Sequence, residues 1–516
     1  MGMKTFAAIY IGSYEITLKI FELSTNKGIR SLDYVRSRVE LGKDVYSKGA
    51  IGYELVEELC QVLKEFHQIM DGYVVDDYKA CASSVLSDAS NGLFILDQIR
   101  LRTKIKVEVL SNSEQRFVSY KSLASSVAFE SMIAEGTAVV DVGGGSIQIT
   151  LFREGHAVTT QHIVLGTVRI REKLSGIESL VSHYEDQMQE LIDKELKIFD
   201  KIYLQDQLWN QKKMKYVIMV GDYISTIMKQ VTKVREDNTI ETERFVKALR
   251  KLNKKTTSQL AEELNLENEQ DPLLIPSIVL YKRLAEALGA EYIWVPGSNI
   301  SDGIAYDYAQ KNHIVKTTHN FDEDVLSAAG HLAKRYASDL DHTAAILGLS
   351  TLIYDTMKKV HGMGKRERLI LQVAVILHDC GRYISLVNQT DYAYQIIMAS
   401  EIIGMTHLER EIVASIVKYH GRSMVPYGQI MDKMNQESYM IVSKLAAILK
   451  VANALDRSHK QKFKNVKAVL REKQLTITIE STEDILLEKG LFYTYTDRFE
   501  EIFSVKPLIK EKRVFE

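Results

Sequence analysis

Apolar and polar positions alternate through AAIYIGSYEITLKIF, residues 7–21, with a break at Gly12-Ser13. That pattern predicts a strand, a tight turn and a second strand. Residues 138–152, AVVDVGGGSIQITLF, align on it without a gap: Ala7 with Ala138, Gly12 with Gly143, Ile16 with Ile147, Phe21 with Phe152. Each copy is followed by a helical period, in residues 52–70 and 176–199, so the chain reads as two related α/β lobes, 1–130 and 131–310. Long helical patterns with few breakers follow, as in residues 322–360 and 365–379, and predict a separate all-α domain over 311–465. Alternation returns in residues 468–481 and in LFYTYT, 491–496, which predicts further strands in a small α/β segment over 466–516.

Length supports this division, since 516 residues are too many for one core and suggest three or four domains. Composition narrows the class. With 46% apolar and 26% charged residues the chain is of ordinary globular type, and 66 basic against 68 acidic residues leave no global charge to draw nucleic acid or a membrane surface. Any anion site must therefore be local. Three scattered cysteines, Cys60, Cys81 and Cys380, have neither disulfide-framework nor metal-ligand spacing. Without a long apolar run or a signal-peptide pattern at the N-terminus, a cytoplasmic protein is expected.

The strongest chemical signal is Asp141-Val142-Gly143-Gly144-Gly145-Ser146. Consecutive glycines allow backbone N–H groups to converge on a phosphate oxygen, and a carboxylate at the end of the preceding strand suits a divalent cation. A lone glycine run is more often a tight hairpin and nothing else; the second, aligned copy favours a phosphate cleft between two lobes.

Four further segments accompany the loops: CASSVLSDASN (81–91), VLSNSEQRFVSYKSL (109–123), VLGTVRIRE (164–172) and SNISDGIAYDYA (298–309). Together they resemble the exopolyphosphatase and guanosine pentaphosphate phosphatase family of the actin-like superfamily. ILHDCGRYIS (376–385) and KVANALDRSH (450–459) resemble the HD-type domain of its long members. The resemblance implies two actin-like (ribonuclease H-like) lobes, then an all-α HD-like domain and a small C-terminal α/β segment. It implies Mg²⁺- or Mn²⁺-dependent removal of a terminal phosphate from polyphosphate or pppGpp, in a homodimer. No membrane or specific nucleic-acid partner is expected. By motif, Glu114 is the general base, Asp141 and Glu114 hold the metal, and Gly12, Ser13, Gly143, Gly144, Gly145 and Ser146 hold the phosphate. Without the motif, Glu114 reads as a solvated loop acid.

Departures from the family pattern are specific. Tyr10 stands for an Asp, Tyr14 for an Asn, Gln148 for a Glu, Ser87 for an Arg and Gln115 for the second acid. Each lost anionic group weakens metal binding and transition-state stabilisation together, commonly by on the order of a hundredfold in rate. A non-catalytic polyphosphate or (p)ppGpp-binding regulator is therefore the alternative. An actin-like kinase is a weaker reading, because VIMVGDYISTI (217–227) has one glycine where an adenosine site expects more.

In the helical part, His342, His378 and Asp379 match an HD metal site, but Asn453 replaces its final Asp. The same His-Asp pair also suits a helix end satisfying buried polar groups. Arg457, Lys460, Lys462, Lys464 and Lys467 are the candidates for a polyanion channel leading to the cleft; KALRKLNKK (247–255) reads as a solvated face.

Overall fold

The first hairpin forms as the alternation predicts: β1 (Lys4–Ile11) pairs antiparallel with β2 (Glu15–Ser24), and Tyr10 lies opposite Thr17. β3 (Gly28–Arg38) extends the meander, while β4 (Asp77–Ala82) and β5 (Val107–Val109) add in parallel on the other side, giving the order β3-β2-β1-β4-β5. The second sheet contains β6 (Thr137–Val142), β7 (Ile147–Arg153), β8 (His156–Ile163), β9 (Tyr216–Gly221), β10 (Thr239–Glu241) and β11 (Tyr292–Trp294). Its order is β10-β11-β9-β6-β7-β8, so β8-β7-β6-β9-β11 repeats the first sheet strand for strand. Asp141 lies opposite Gln148 as Tyr10 lies opposite Thr17, so the repeat extends to the register.

The structure is a computed structural model that describes residues 3–124, 126–176, 184–204, 214–221, 223–228, 235, 237–264, 272–316 and 319–513. The chain divides into two units, Met1–Asn320 and Phe321–Glu516. Of the predicted helix over 176–199, Tyr184–Phe199 is helical and residues 177–183 lie outside the described residues; Asp222, within 217–227, does also.

Both faces of the first sheet are covered, which explains why Phe6, Ala7, Ala8 and Ile9 are all buried. Ala7, Ile9 and Ile11 pack on Leu59, Leu63 and Ile95 of the helices Tyr53–Gly72 and Gly92–Thr103. Phe6 and Ala8 pack on Val118 of the helix Asn112–Leu123 and on Ile304 and Ala305 of the helix Ile300–Lys311. This last helix follows the second sheet in sequence yet returns to the first. Lys19 bonds Asp302 at 2.6 Å, and the buried Lys121 bonds Asp307 at 2.6 Å.

The second unit is helical through Phe321–Arg335, Leu340–Thr356, Lys365–Leu377, Gln389–Ala399, His407–His420 and Gln436–Ala454. A three-stranded sheet follows, of order β12-β13-β14, with β12 (Lys464–Arg471), β13 (Gln474–Ser481) and β14 (Lys506–Arg513). LFYTYT does not form the expected strand; it belongs to the helix Leu486–Phe503. Its buried positions are Glu488, Phe492, Thr496, Phe499 and Phe503, a helical spacing that six residues of apolar and threonine alternation conceal. Among the described residues no helix is long and apolar enough to cross a membrane.

Candidate functional site

The two glycine turns are closed in the same way. Gly12 N–H donates to the Glu15 carbonyl at 2.9 Å, and Gly143 N–H to the Ser146 carbonyl at 3.0 Å. This corrects the expectation that these two amides serve a phosphate, because each is already used to join its paired strands. In the second loop the helix Thr167–Leu174 takes the carbonyls: Thr167 N–H bonds Gly143, Arg169 N–H bonds Gly144, and Arg169 Nε bonds Gly145. With its oxygens turned into that helix, the loop leaves the Gly144 and Gly145 N–H groups as donors for an anion.

The loops face each other directly. A Cβ added to Gly144 would overlap the Ser13 hydroxyl and lie 2.8 Å from Val168 Cγ2, and one added to Gly145 would overlap the Tyr46 hydroxyl. Glycine is required at both positions by this close approach. Tyr46, on the helix Leu41–Lys48, lies under Arg169, whose guanidinium carbon is 4.1 Å from the ring centroid. Burial pushes the Tyr46 phenol up, and hydrogen bonds with Ser13 and Arg169 offset part of that. Behind them Tyr14, Val168 and Leu273 form a small apolar cluster, with Tyr46 and Tyr223 packed on it. Tyr14 thus supplies packing where an Asn was expected. Sequence reasoning gave Tyr46 no role and Arg169 none beyond the motif, since their proximity comes from folding alone.

Asp141 sits at the end of β6, half-buried. Burial raises its carboxyl above the ordinary range; a hydrogen bond with Ser119 and the charge of Arg116 oppose that rise. Arg116 Nε donates to Gln148 Oε1 at 2.8 Å, and both side chains are buried. The amide at position 148 therefore acts as an acceptor for a guanidinium, so the position that the family pattern gives to a carboxylate holds a neutral amide bonded to a positive charge. Tyr10 packs against the apolar cluster of Phe6, Cys81, Leu110 and Val118, which explains why no charge resides there.

Glu114 is not a solvated loop acid. It is the third residue of the helix Asn112–Leu123 and completes a capping box, with Oε2 accepting from Ser111 N at 2.9 Å and from Ser111 Oγ at 2.6 Å. Its other oxygen is outside the cap. Ser87 is exposed and donates to the Ser84 carbonyl.

In the second unit His342, His378 and Asp379 converge and are fully buried. His342 Nδ1 is 2.7 Å from Asp456 Oδ2 and its ring stacks on His459, centroids 3.5 Å apart. The His378 ring meets His420 edge-on at 5.5 Å. Burial lowers both His378 and His420, the latter to about 3. Asp456, His459 and His420 were missed by sequence reasoning; the His459 and Asp456 signal lay in RSHK and ALDR, directly after Asn453. Of the candidate channel cations, Lys462 is committed to Glu488 at 3.1 Å and to the Asp484 carbonyl at 2.8 Å, whereas Arg457, Lys460, Lys464 and Lys467 are exposed.

Comparison with known proteins adds the following. Residues 21–312 match the model of the Ppx/GppA phosphatase family, and residues 326–495 that of Ppx/GppA phosphatase, domain III. A guanosine-5'-triphosphate,3'-diphosphate pyrophosphatase of Pseudoalteromonas atlantica is 20% identical over 462 residues, 87% of this chain and 85% of that protein. A bifunctional 3-dehydroquinate synthase/phosphatase of Fusobacterium nucleatum is 27% identical over 172 residues, 32% of this chain; the match spans only about a quarter of that protein, 26%. Among solved structures, an exopolyphosphatase from Cytophaga hutchinsonii superposes with a TM-score of 0.51 at 19% identity, over 60% of this chain and 98% of that one, which supports the fold.

Proposed function

The chain belongs to the Ppx/GppA phosphatase family, and from that premise we propose that its cleft removes the terminal phosphate of inorganic polyphosphate or guanosine pentaphosphate by attack of water. The observation that carries the reading is the confrontation of the two glycine loops, Ser13 against Gly144, beside a strand-end carboxylate. The terminal phosphate is held by the Gly144 and Gly145 N–H groups and by the Ser13 and Ser146 hydroxyls. Arg169, bound to Gly145 and stacked on Tyr46, adds positive charge to the same loop. Glu114 keeps Oε2 in the helix cap, which fixes the carboxylate, and takes a proton from water on Oε1.

Asp141, with the positive charge of Arg116 beside it, fits a cation that arrives with its phosphate rather than one held before the phosphate binds. The chemistry a divalent cation supplies when held by Asp141 and substrate oxygens, Mg²⁺ or Mn²⁺, is neutralisation of charge on the transferring phosphoryl group. The exposed Arg457, Lys460, Lys464 and Lys467 serve polyanion docking on the second unit, and the protein works as a cytoplasmic homodimer.

A second reading is favoured by the Arg116–Gln148 contact: a cleft that binds polyphosphate or (p)ppGpp without efficient turnover. Phosphate release from long-chain polyphosphate and from pppGpp, with Mg²⁺ or Mn²⁺, separates the two. The hydrolase reading expects release by the intact protein that Glu114→Gln and Asp141→Asn each reduce at least a hundredfold. Absent release with salt-sensitive polyphosphate retention establishes the binder instead.

A further inference from the structure

The helix Gly92–Thr103 is apolar on two opposite sides. Gly92, Ile95, Ile99 and Thr103 are buried, and Ile95 and Ile99 pack in the core of the first lobe. Phe94 and Leu101 are seven residues apart, two helical turns, and so share one stripe on the side away from that core. Phe94 is 73% exposed and Leu101 55%, with Leu93 beside them at 82%. The Asn91 side chain accepts from Ile51 N–H at 3.1 Å and donates to the Ile51 carbonyl at 2.8 Å. That link ties the start of this helix to the start of Tyr53–Gly72, where Tyr53 is exposed as well. A single exposed leucine is ordinary, whereas a helix that is apolar all round belongs in an interior and asks for a second cover.

The charges on the stripe decide what that cover is. Asp97 and Arg100 lie between Phe94 and Leu101, paired with each other at 2.7 Å, and both side chains are more than half exposed. An exposed pair of this kind contributes little within its own chain. Arg102 is drawn off the stripe by Glu57, whose two oxygens each accept from it at 2.6 Å. A second copy of the helix laid antiparallel about a two-fold axis between Asp97 and Gln98 puts Phe94 opposite Leu101 of that copy, and Leu101 opposite its Phe94. Asp97 then lies about 3 Å along the helix from Arg100 of the second copy, on the same flank of the pair. The stripe is therefore self-complementary, apolar against apolar and acid against base.

We propose that the outer face of the helix Gly92–Thr103 is an isologous interface with a second copy of this chain, in which Phe94 seats on Leu101 and Asp97 pairs with Arg100 across the two-fold axis. The inference rests on the homodimer reading and gives it a contact surface. Two helices of 12 residues, each about 18 Å long, form an interface at the small end of the stable range, so exchange between dimer and monomer is expected at micromolar concentration.

The test is sedimentation equilibrium of the full chain. The parent is expected to dimerise, and Phe94→Glu and Leu101→Glu each to raise the dissociation constant at least tenfold. Both positions are exposed, so the variants fold and are compared with the parent by circular dichroism. Asp97→Arg and Arg100→Asp each set like charges against one another across the axis, so each variant dimerises poorly by itself. Mixed together, the two variants are expected to recover association, because every charged contact across the axis is then between opposite signs. Neither chain holds an opposite-charge pair at 97 and 100 of its own, so that recovery can come only from contact between copies. A parent dimer that all four variants retain overturns the interface and leaves the homodimer reading in place. Weakened single variants without recovery on mixing overturn the antiparallel register. A parent chain monomeric throughout, whether or not it sediments with phospholipid vesicles, overturns both the interface and the homodimer.

Discussion

Replacing Gln148 with Glu isolates the electrostatics of the cleft. Residues 141 and 148 are directly opposite on β6 and β7, so their Cβ atoms lie about 5 Å apart. Two unit negative charges at that distance repel by about 3 kcal/mol at an effective dielectric constant of 20. Arg116, already bonded to position 148, offsets much of this in Gln148→Glu by forming a charge-assisted pair. The trio of Asp141, Arg116 and residue 148 then changes from neutral to a net charge of about −1, and a divalent cation gains one more unit charge to approach. Most of that attraction is cancelled by dehydration of the ion, and the surviving gain is about 1.5–3 kcal/mol, or roughly 10–100-fold in affinity. Titration calorimetry of Mg²⁺ or Mn²⁺ without phosphate measures it: weak binding by the parent chain, tighter binding by Gln148→Glu, and loss of the gain in Asp141→Asn/Gln148→Glu. Coincident isotherms for parent and Gln148→Glu, or a gain that survives removal of Asp141, would refute the placement of the cation beside Asp141.

Three other outcomes are expected. Asp307→Ala leaves Lys121 buried without its carboxylate and costs about 3–5 kcal/mol in chemical denaturation; a cost below 1 kcal/mol contradicts the pairing. Burial raises the Asp307 carboxyl, but Lys121 and Lys311 reverse this and leave it lowered, so its stabilisation is complete above the unfolded carboxylate pKa and is lost as pH falls through the folded value. Acid titration of parent and Asp307→Ala should therefore converge at low pH. Gly145→Ala overlaps the Tyr46 hydroxyl and lies 3.1 Å from Cζ, costing about 1–3 kcal/mol, and Tyr46→Phe in that background recovers about 1 kcal/mol; strictly additive costs would show the loop and ring to be apart. Tyr10→Asp buries a charge in an apolar cluster, so its melting temperature should fall and rise again with Mg²⁺, and a metal-independent melt speaks against a cation there.

The hairpin repeat was legible because period-two alternation and a glycine turn are local signals, and its register followed from an ungapped alignment. LFYTYT was misread because six residues of alternation do not distinguish a strand from a helix whose buried face returns every three or four residues. Tyr46 and Arg169 were illegible as a pair: they are more than 120 positions apart in the chain, and only folding brings the ring under the guanidinium. Attention to Asn453 hid Asp456 and His459, because the motif assumes ligands on the helix. Here Gln436–Ala454 ends first, and the turn that follows carries them back to His342.

The return of the helix Ile300–Lys311 to the first sheet has a consequence for synthesis. Phe6, Ala8, Phe21 and Leu23 are made first, but the helix that covers them with Ile304 and Ala305 is made about 300 residues later. At 5–20 residues per second that interval is roughly 15–60 s. During it the apolar face of the earliest strands has only the cover that Leu110 and Val118 supply, and its burial is completed when Ile304, Ala305 and Ala309 have been translated.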